Sequence, residues 1–291
     1  METTGNWNRA SGRTLDRPGI LRGIRELFDA APGRVVSEEA AISPVLAGLV
    51  MFDAPLAGIA SAGDPLFAEY KRAVGPWHRG PEEWLPGAAS IISLFFPFTE
   101  RVRRSNRGRD TSPEWLHARI EGQEFISAFT KGLCRWLEER GAACCAPSID
   151  SRFRSFRRGE GLEAYPEATD RTFGSNWSER HAAYACGLGT FSLSRGLITE
   201  RGMAGRLTSV IVDAALEPDA RPYRGVYDYC VRCGACVRRC PARAISLEGG
   251  KEHIPCSEWL KQSRARFAPR YGCGQCQTAV PCEDRNPAAG A

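Results

Sequence analysis

The chain has 291 residues, of which 43% are hydrophobic and 25% are charged, and its formal net charge is +5. These values are typical of a soluble globular protein of one or two domains, and they exclude the fibrous and intrinsically disordered classes. The apolar runs are far shorter than the roughly 20 residues that a membrane-spanning helix needs. The polar N-terminus has no secretory or twin-arginine signal pattern, so we expect a cytoplasmic protein.

From residue 19 to residue 218 the sequence alternates helical patterns with short apolar runs, which is typical of α/β or α+β layers. The strongest pattern predicts a helix over 113–140, because apolar residues recur there at three- and four-residue steps. Ser112 is suited to cap this helix and Gly141 to end it. The helix is expected to pack one face into the core of the first domain.

Short β-branched or apolar runs, each bounded by Pro, Gly or Asp, predict the strands of a sheet in this first domain. The predicted strands are Ala89–Phe96, Ala142–Ala146 and Thr208–Val212. A polar stretch with two prolines, Glu217–Asp228, predicts the boundary with a second domain. We therefore divide the chain into a flexible N-terminal tail (1–18), a substrate domain (19–220) and a cysteine-rich domain (221–291).

Eight of the twelve cysteines fall in the last quarter of the chain, and their spacing is the most specific signal in the sequence. The first four follow the pattern C-x2-C-x2-C-x3-C-P and are Cys230, Cys233, Cys236 and Cys240. The other four are Cys256, Cys273, Cys276 and Cys282. In a cytoplasmic chain, cysteines at this density favour metal binding over disulfides.

The first pattern is that of bacterial ferredoxins, in which the fourth cysteine binds the other [4Fe–4S] cluster. By this crossover we assign Cys282 to the cluster of the first three cysteines, and Cys240 to the cluster of the remaining three. Structural zinc is the alternative, but zinc ribbons use separated cysteine pairs. The spacing therefore favours two [4Fe–4S] clusters.

The segment Ser175–Asp213 carries a resemblance to a known family. It contains the pair Glu179-Arg180, an alanine-rich stretch, the turn Gly187-Leu188-Gly189 and a second turn over Gly202–Arg206. In this order the segment resembles the cobalamin-binding segment of the epoxyqueuosine reductase family, and more distantly the catalytic core of reductive dehalogenases. The resemblance continues through the cysteines and covers most of the chain.

The resemblance implies a nitroreductase-like N-terminal domain that holds base-off cobalamin, followed by a ferredoxin-like domain with two [4Fe–4S] clusters. The cofactor-binding residues that it suggests are Gly187, Leu188, Gly189, Thr190, Phe191, Ser192, Ile198, Thr199 and Arg206. Glycines permit close approach of the backbone to a flat macrocycle, and the hydroxyl groups can bond corrin amides. The alternative is that the glycine turn only connects a helix to a strand.

Four residues near the glycine turn are candidate proton donors: Asp170, Glu179, His181 and Tyr184. For Glu179 the alternative is a structural ion pair with Arg180, and for His181 it is a place in the core. We interpret His78 as a loop residue, with the mouth of a substrate site as the alternative. Cys144 and Cys145 are expected to be buried small hydrophobic residues.

We therefore expect an oxidoreductase that takes electrons from a reduced flavodoxin or ferredoxin and passes them through two clusters to cobalamin. The expected reaction is reductive cleavage of a small organic substrate. One alternative is an electron-transfer or accessory protein without cobalamin, and another is reduction of epoxyqueuosine in tRNA. Because the chain ends nine residues after Cys282, it lacks the C-terminal extension with which many such reductases hold tRNA, so we do not expect tRNA as substrate.

Overall fold

The computed structural model describes residues 15–289, which form eight α-helices and ten strands. The helices are α1 (Arg17–Ala30), α2 (Pro65–Ala73), α3 (Pro81–Trp84), α4 (Glu100–Ser105), α5 (Pro113–Glu138), α6 (Glu179–Ala185), α7 (Ala235–Arg239) and α8 (His253–Phe267). Among the described residues, no helix is both long and apolar enough to span a bilayer. Residues 1–14 of the predicted tail lie outside the described part, whereas α1 already begins at Arg17, so the predicted tail extends too far.

The strands are β1 (Leu56–Ser61), β2 (Ser90–Pro97), β3 (Cys144–Cys145), β4 (Ser155–Arg157), β5 (Phe173–Ser175), β6 (Gly189–Phe191), β7 (Leu197–Thr199), β8 (Gly205–Val212), β9 (Ile245–Ser246) and β10 (Gly250–Lys251). Four of them form an antiparallel sheet in the order β1-β2-β8-β3. Every residue of β2 is buried, as expected of a central strand covered on both faces. The predicted mixed α/β class is confirmed.

The strand predictions succeed best at the centre of the sheet. β2 lies within one residue of its predicted position, and β8 begins three residues earlier than predicted, because Gly205 still pairs with Pro97. The predicted strand Ala142–Ala146 is wrong in length, since only the two residues of β3 pair with β8. The chain then turns at Pro147, which cannot continue a hydrogen-bonded ladder.

Helix α5 follows its prediction closely. The Ser112 Oγ accepts a hydrogen bond from the Trp115 backbone N–H at 3.1 Å, which caps the first turn. The helix ends at Glu138, two residues earlier than predicted, and Gly141 then takes a positive φ of 86°. One face packs on the sheet, where the rings of Phe129 and Phe96 lie 5.1 Å apart. This aromatic packing forms the main core.

The cysteine-rich region folds back onto the same sheet domain. The backbone N–H groups of Met203 and Ala204 donate to the carbonyl oxygens of Cys282 and Glu283 at 2.9 and 3.1 Å. The buried Glu283 carboxylate also pairs with Arg107 at 2.8 Å. These contacts place the cysteines against the end of the sheet where β8 begins.

Candidate redox site

The eight clustered cysteines lie in two neighbouring sets of four. Burial, together with nearby Cys230, Cys236 and Cys233, raises the pKa of Cys282 to about 12. We call these four residues the outer thiol set. Their mutual influence reflects their proximity, since thiols raise one another's pKa only when they lie close together.

The other four cysteines form the inner thiol set. Burial, together with nearby Cys276, Cys256 and Cys240, raises the pKa of Cys273 to about 12. Cys276 also lies close to Cys236, so the two sets are neighbours. Among residues 15–289, no three His, Cys, Asp or Glu side chains converge tightly enough to hold a single metal ion. Ligation of iron by these thiols stays a prediction.

The local structure explains how the first cysteines come together. Gly234 has a positive φ of 71° and turns the chain into the short helix α7, which carries Cys236 and ends at Cys240. A glycine permits this left-handed turn without a steric penalty. Cys233 is exposed, whereas Cys236 is buried. The outer thiol set therefore reaches the protein surface.

A cavity of about 430 Å³ lies between the sheet domain and the inner thiol set. All four inner thiols line it: Cys240, Cys256, Cys273 and Cys276. Its aromatic walls include Phe95, Phe98, Trp115, Phe153, Trp177 and Trp259, and its charged residues are Arg119, Glu179, Arg180, Arg206 and Lys251. The size and the mostly apolar walls with a few polar groups are typical of a small-molecule site.

Glu179 is the acidic side chain of this cavity. It is the first residue of α6, and both of its carboxylate oxygens are buried without a hydrogen-bond partner among the described residues. Burial raises the pKa of this carboxyl to about 7. A carboxyl with this pKa can hold a proton at neutral pH and release it during a reaction.

The cationic side chains of the cavity also lack acidic partners. The Arg206 Nη2 donates to the Arg119 carbonyl oxygen at 2.5 Å, and its Nε has no partner among the described residues. Burial and the charges of Arg119 and Arg180 lower the pKa of Arg206 to about 9. Within residues 15–289, the Glu179 oxygens have no partner, so Glu179 forms no ion pair with Arg180. The polar groups of these side chains are therefore available to a ligand.

Of the four predicted proton donors, only Glu179 lines the cavity. The His181 ring packs against Tyr70 at 4.9 Å, its Nδ1 lies 2.7 Å from the Ser178 Oγ, and burial lowers its pKa to about 4. Tyr184 is buried against Tyr223. Asp170 lies on an exposed loop. His181 therefore lies in the core, which was its alternative interpretation. Neither Asp170 nor Tyr184 lines the cavity.

Of the nine predicted cofactor-binding residues, only Arg206 lines the cavity. A Cβ on Gly189 would lie 1.9 Å from the Ile198 carbonyl oxygen, so this glycine permits contact of β6 with β7 and not with a ligand. A Cβ on Gly187 would meet the Ala220 carbonyl oxygen at 2.8 Å. Leu188 and Phe191 pack with the buried Tyr184.

The hydroxyl groups of this segment are likewise used within the protein. Thr190 Oγ1 accepts from the Tyr229 N–H at 2.9 Å, Ser192 Oγ donates to the Gly196 carbonyl oxygen, and Thr199 Oγ1 donates to that of Gly202. The glycine turn thus connects a helix to a strand, which was the alternative interpretation of this turn. The position of the segment from Gly187 to Thr199 does not support the predicted contact with a corrin ring.

The sequence analysis did not identify several cavity residues, because they come from separate elements. Trp115 and Arg119 lie one helical turn apart on α5, and Phe95 and Phe98 lie at the end of β2. His78 is also more than a loop residue. Its Nε2 accepts from the Ser178 N–H at 3.2 Å and thereby holds the start of α6, which carries Glu179.

Comparison with known proteins identifies the cysteine pattern. Residues 225–246 match the family model described as a 4Fe-4S binding domain. This segment contains the first four clustered cysteines. No curated protein matches the chain in sequence.

Solved structures of both families that the sequence resembles are similar to the chain, with TM-scores below 0.5. Epoxyqueuosine reductase from Bacillus subtilis is 19% identical, with a TM-score of 0.46 over 91% of this chain and 66% of that protein. An epoxyqueuosine reductase with a tRNA-Tyr stem loop is 18% identical over the same shares, also with a TM-score of 0.46. The catabolic reductive dehalogenase NpRdhA with 3-bromo-4-hydroxybenzoic acid is 16% identical, with a TM-score of 0.47 over 95% of this chain and 38% of that protein. The chain thus spans about two thirds of the epoxyqueuosine reductases and well under half of the dehalogenase.

Proposed function

We propose that this chain is an iron–sulfur oxidoreductase that delivers electrons from two [4Fe–4S] clusters into the cavity. The observation that carries the proposal is the shared wall: all four inner thiols line the same cavity as the unpartnered carboxyl of Glu179. A source of electrons and a source of protons thus face one site. Reductive cleavage of a bond requires both.

The arrangement of the two thiol sets supports a direction of electron flow. Cys233 of the outer set is exposed and suits the approach of an external donor, for which we propose a reduced flavodoxin or ferredoxin. Cys236 and Cys276 bring the outer and inner sets close together. The inner set then lies at the cavity. Electrons would enter at the surface and leave next to the substrate.

Glu179 is the residue that we propose as the proton donor. With a pKa of about 7 it carries a proton in a large share of molecules at neutral pH. Its position at the start of α6 is fixed by His78 through the Ser178 backbone.

Cobalamin is the cofactor that we propose for the cavity. The partnerless Arg206 Nε fits an amide group at the edge of a corrin ring, and aromatic side chains such as Trp115 and Trp177 suit its flat faces. Arg206 would thus hold the cofactor as predicted, while the glycine turn would not. When bound, cobalamin would supply a strongly reducing cobalt able to cleave carbon–oxygen or carbon–halogen bonds.

Anaerobic reconstitution with iron and sulfide, followed by cob(II)alamin and desalting, tests the proposal. We expect about eight irons per chain and a retained base-off cobalt signal in EPR. Arg206→Gln should lower cobalamin retention without loss of iron. The matched control is Arg201→Gln, since Arg201 lies on the surface and pairs with Asp53. Eight irons with no retained cobalt would instead favour an electron-transfer or accessory protein.

For the substrate we propose a small organic molecule, and the surface next to the cavity favours a second candidate. A groove that shares Arg119 and Lys251 with the cavity is also lined by Arg157, Lys261 and Arg264, and none of its lining residues is acidic. Such a groove suits a phosphate backbone. The expectation that tRNA is not a substrate has no support, because a similar reductase structure contains a tRNA stem loop. Reduction of a modified nucleoside in tRNA is therefore the second candidate.

Binding of bulk tRNA at several salt concentrations separates the two candidates. If tRNA is the substrate, the Lys261→Ala/Arg264→Ala variant should bind more weakly, and the slope of log affinity against log salt should fall by about one for each phosphate that the variant no longer neutralises. The control is Arg22→Ala/Lys131→Ala, which removes two exposed cations outside the groove. Equal effects of both variants, or no binding by the wild type, would favour the small organic substrate.

A further inference from the structure

Three of the four cysteines outside the thiol sets lie in one groove on the sheet domain. Cys134 belongs to α5, whereas Cys144 and Cys145 form the edge strand β3. All three are half-buried and line a shallow groove of about 580 Å³. The expectation that Cys144 and Cys145 are buried is therefore wrong, because an edge strand leaves one side open to solvent. Only Cys186, the fourth, is fully buried.

Cys134 and Cys144 are direct neighbours. The Cys144 Sγ donates to the Cys134 carbonyl oxygen and to Glu138 Oε1, both at 3.6 Å, which places it beside Cys134. The neighbouring Cys144 lowers the pKa of Cys134, whereas Cys134, burial and Glu138 raise the pKa of Cys144. The pair therefore combines a thiol that ionises easily with a second thiol held against it, as in redox-active dithiols.

Cys145 is adjacent to Cys144 in sequence, but its thiol has other hydrogen-bond partners. Successive side chains of a strand point to opposite faces. The Cys145 Sγ donates to Asp150 Oδ2 at 3.4 Å and accepts from Arg152 Nη2 at 3.5 Å. Burial and Asp150 raise its pKa to about 11. Cys145 is therefore a poor nucleophile and a poor partner for the other two thiols.

We propose that Cys134 and Cys144 form a reversible intrachain disulfide by exchange with a low-molecular-weight disulfide such as glutathione disulfide. The Cys134 thiolate attacks one sulfur of the oxidant, which releases one glutathione and leaves a mixed disulfide on Cys134. The Cys144 sulfur then attacks Cys134 and releases the second glutathione. The two cysteines are oxidised, the oxidant is reduced, and the two thiol protons pass to the two released glutathiones.

The bridge would join α5, which lines the cavity, to β3, which pairs with a strand that lines it. Helix α5 contributes Trp115 and Arg119 to the cavity at its other end, and β3 pairs with β8, which contributes Arg206. A covalent link between α5 and β3 would restrict relative movement of these walls. The bridge is independent of the proposed reductase activity, since neither cysteine belongs to a thiol set.

The test uses the reconstituted iron-loaded protein under anaerobic conditions, with glutathione disulfide as oxidant. After alkylation of free thiols in denaturant, peptide mass spectrometry should show a Cys134–Cys144 linkage and a loss of about two free thiols per chain. Dithiothreitol should restore both thiols, and the iron content should not change. The matched control Cys145→Ser should oxidise like the wild type, whereas Cys144→Ser should stop at the glutathione adduct of Cys134.

Three results would each overturn the proposal. One is alkylation of both Cys134 and Cys144 after oxidation of the wild type, a measurement that needs no variant to fold. Another is a linkage of Cys145 to either residue in an amount equal to the Cys134–Cys144 linkage. Loss of iron during the oxidation would mean that the thiols of the clusters react first, which also contradicts the selectivity proposed here.

Discussion

The sheet domain and the cysteine-rich region differ in how many apolar side chains they bury. The sheet domain has a continuous apolar core in which rings such as Phe52 and Phe96 are at most 1% exposed. In the cysteine-rich region, the 15 residues of α8 contain one buried side chain, that of Ser263. Its own small core mixes a few aliphatic residues with the cysteines themselves. Hydrophobic burial can stabilise the first region, whereas we expect the second to depend on bound metal.

Removal of iron should therefore have the largest effect, and in one region only. Chelation of the iron-loaded protein is expected to unfold residues 229–282 while the sheet domain stays folded, because structural metals contribute folding free energy directly. Hydrogen exchange with mass spectrometry measures this separately for each region. Equal loss of protection in β2 and α8 would show that the two regions do not differ as described.

A matched pair of cysteine variants tests whether iron binding depends only on the cysteine-rich region. Cys276→Ser should lower the iron content by about four per chain, the content of one cubane, because Cys276 belongs to the inner thiol set. Cys145→Ser, a half-buried cysteine outside both sets, should leave the iron content unchanged. If both variants retain all of their iron, the assignment of the inner thiol set is wrong.

Truncation in the sheet core should give the reverse pattern. Phe96→Ala removes a fully buried ring that packs against Phe28, Phe52, Phe125 and Phe129. We expect the free energy of unfolding of the sheet domain to fall by about 3–5 kcal/mol, with the iron content unchanged. Urea denaturation followed by circular dichroism, together with iron analysis, measures both quantities. A loss of iron equal to that of Cys276→Ser would contradict the separation.

Glu179 lies where the two regions meet, and its titration should link stability to pH. Because burial raises its pKa from 4.5 to about 7, the folded protein binds this proton more tightly than the unfolded chain does. The resulting stability is fully present below pH 4.5 and is lost as the pH rises through 7, by at most about 3 kcal/mol.

Glu179→Gln should remove this pH dependence, and the difference in unfolding free energy between wild type and variant, measured from pH 4 to pH 8, isolates it. If Glu179 donates the proton, the same variant should lose most of its activity in turnover assays. The activity that remains should no longer decline above pH 7. A variant with the pH profile of the wild type would assign the proton to another group.

The smallest effect is expected at the ion pair that joins the regions. Glu283 is 3% exposed at its side chain, pairs with Arg107 at 2.8 Å and accepts from the Ala279 N–H at 2.6 Å. Glu283→Gln should cost about 1–3 kcal/mol, the range for hydrogen bonds to a charged group, and should increase hydrogen exchange around Cys282. Asp284→Asn, at a more exposed neighbour, is the control, and an equal effect of the two would contradict a specific role of Glu283.

The parts of the fold that the sequence predicted correctly are those with local signals. The cap at Ser112, the apolar repeat of α5 and the β-branched run of β8 depend on residues close together in the chain. The C-x2-C-x2-C-x3-C-P pattern is also local, and its match to a 4Fe-4S binding domain follows from spacing. The length of β3 was missed because an edge strand extends only as far as its partner allows.

The candidate site was harder to predict because its residues meet only through tertiary structure. Glu179 and His181 are two positions apart, yet one faces the cavity and the other packs on Tyr70. Gly189 suggested ligand contact, but it lies against the Ile198 carbonyl oxygen. Nothing local distinguishes a glycine that faces a cofactor from one that faces a neighbouring strand.

The sequence by itself determined the α/β class, the long helix and the two sets of cysteines, because helix periodicity and cysteine spacing are written in neighbouring positions. Tertiary structure decided that the inner thiols share a cavity with Glu179 and Arg206, and that Cys134 lies against Cys144. These juxtapositions depend on how the sheet, α5 and the cysteine-rich region pack together. Burial and the absence of partners, which set the chemistry of Glu179, exist only once that packing is complete.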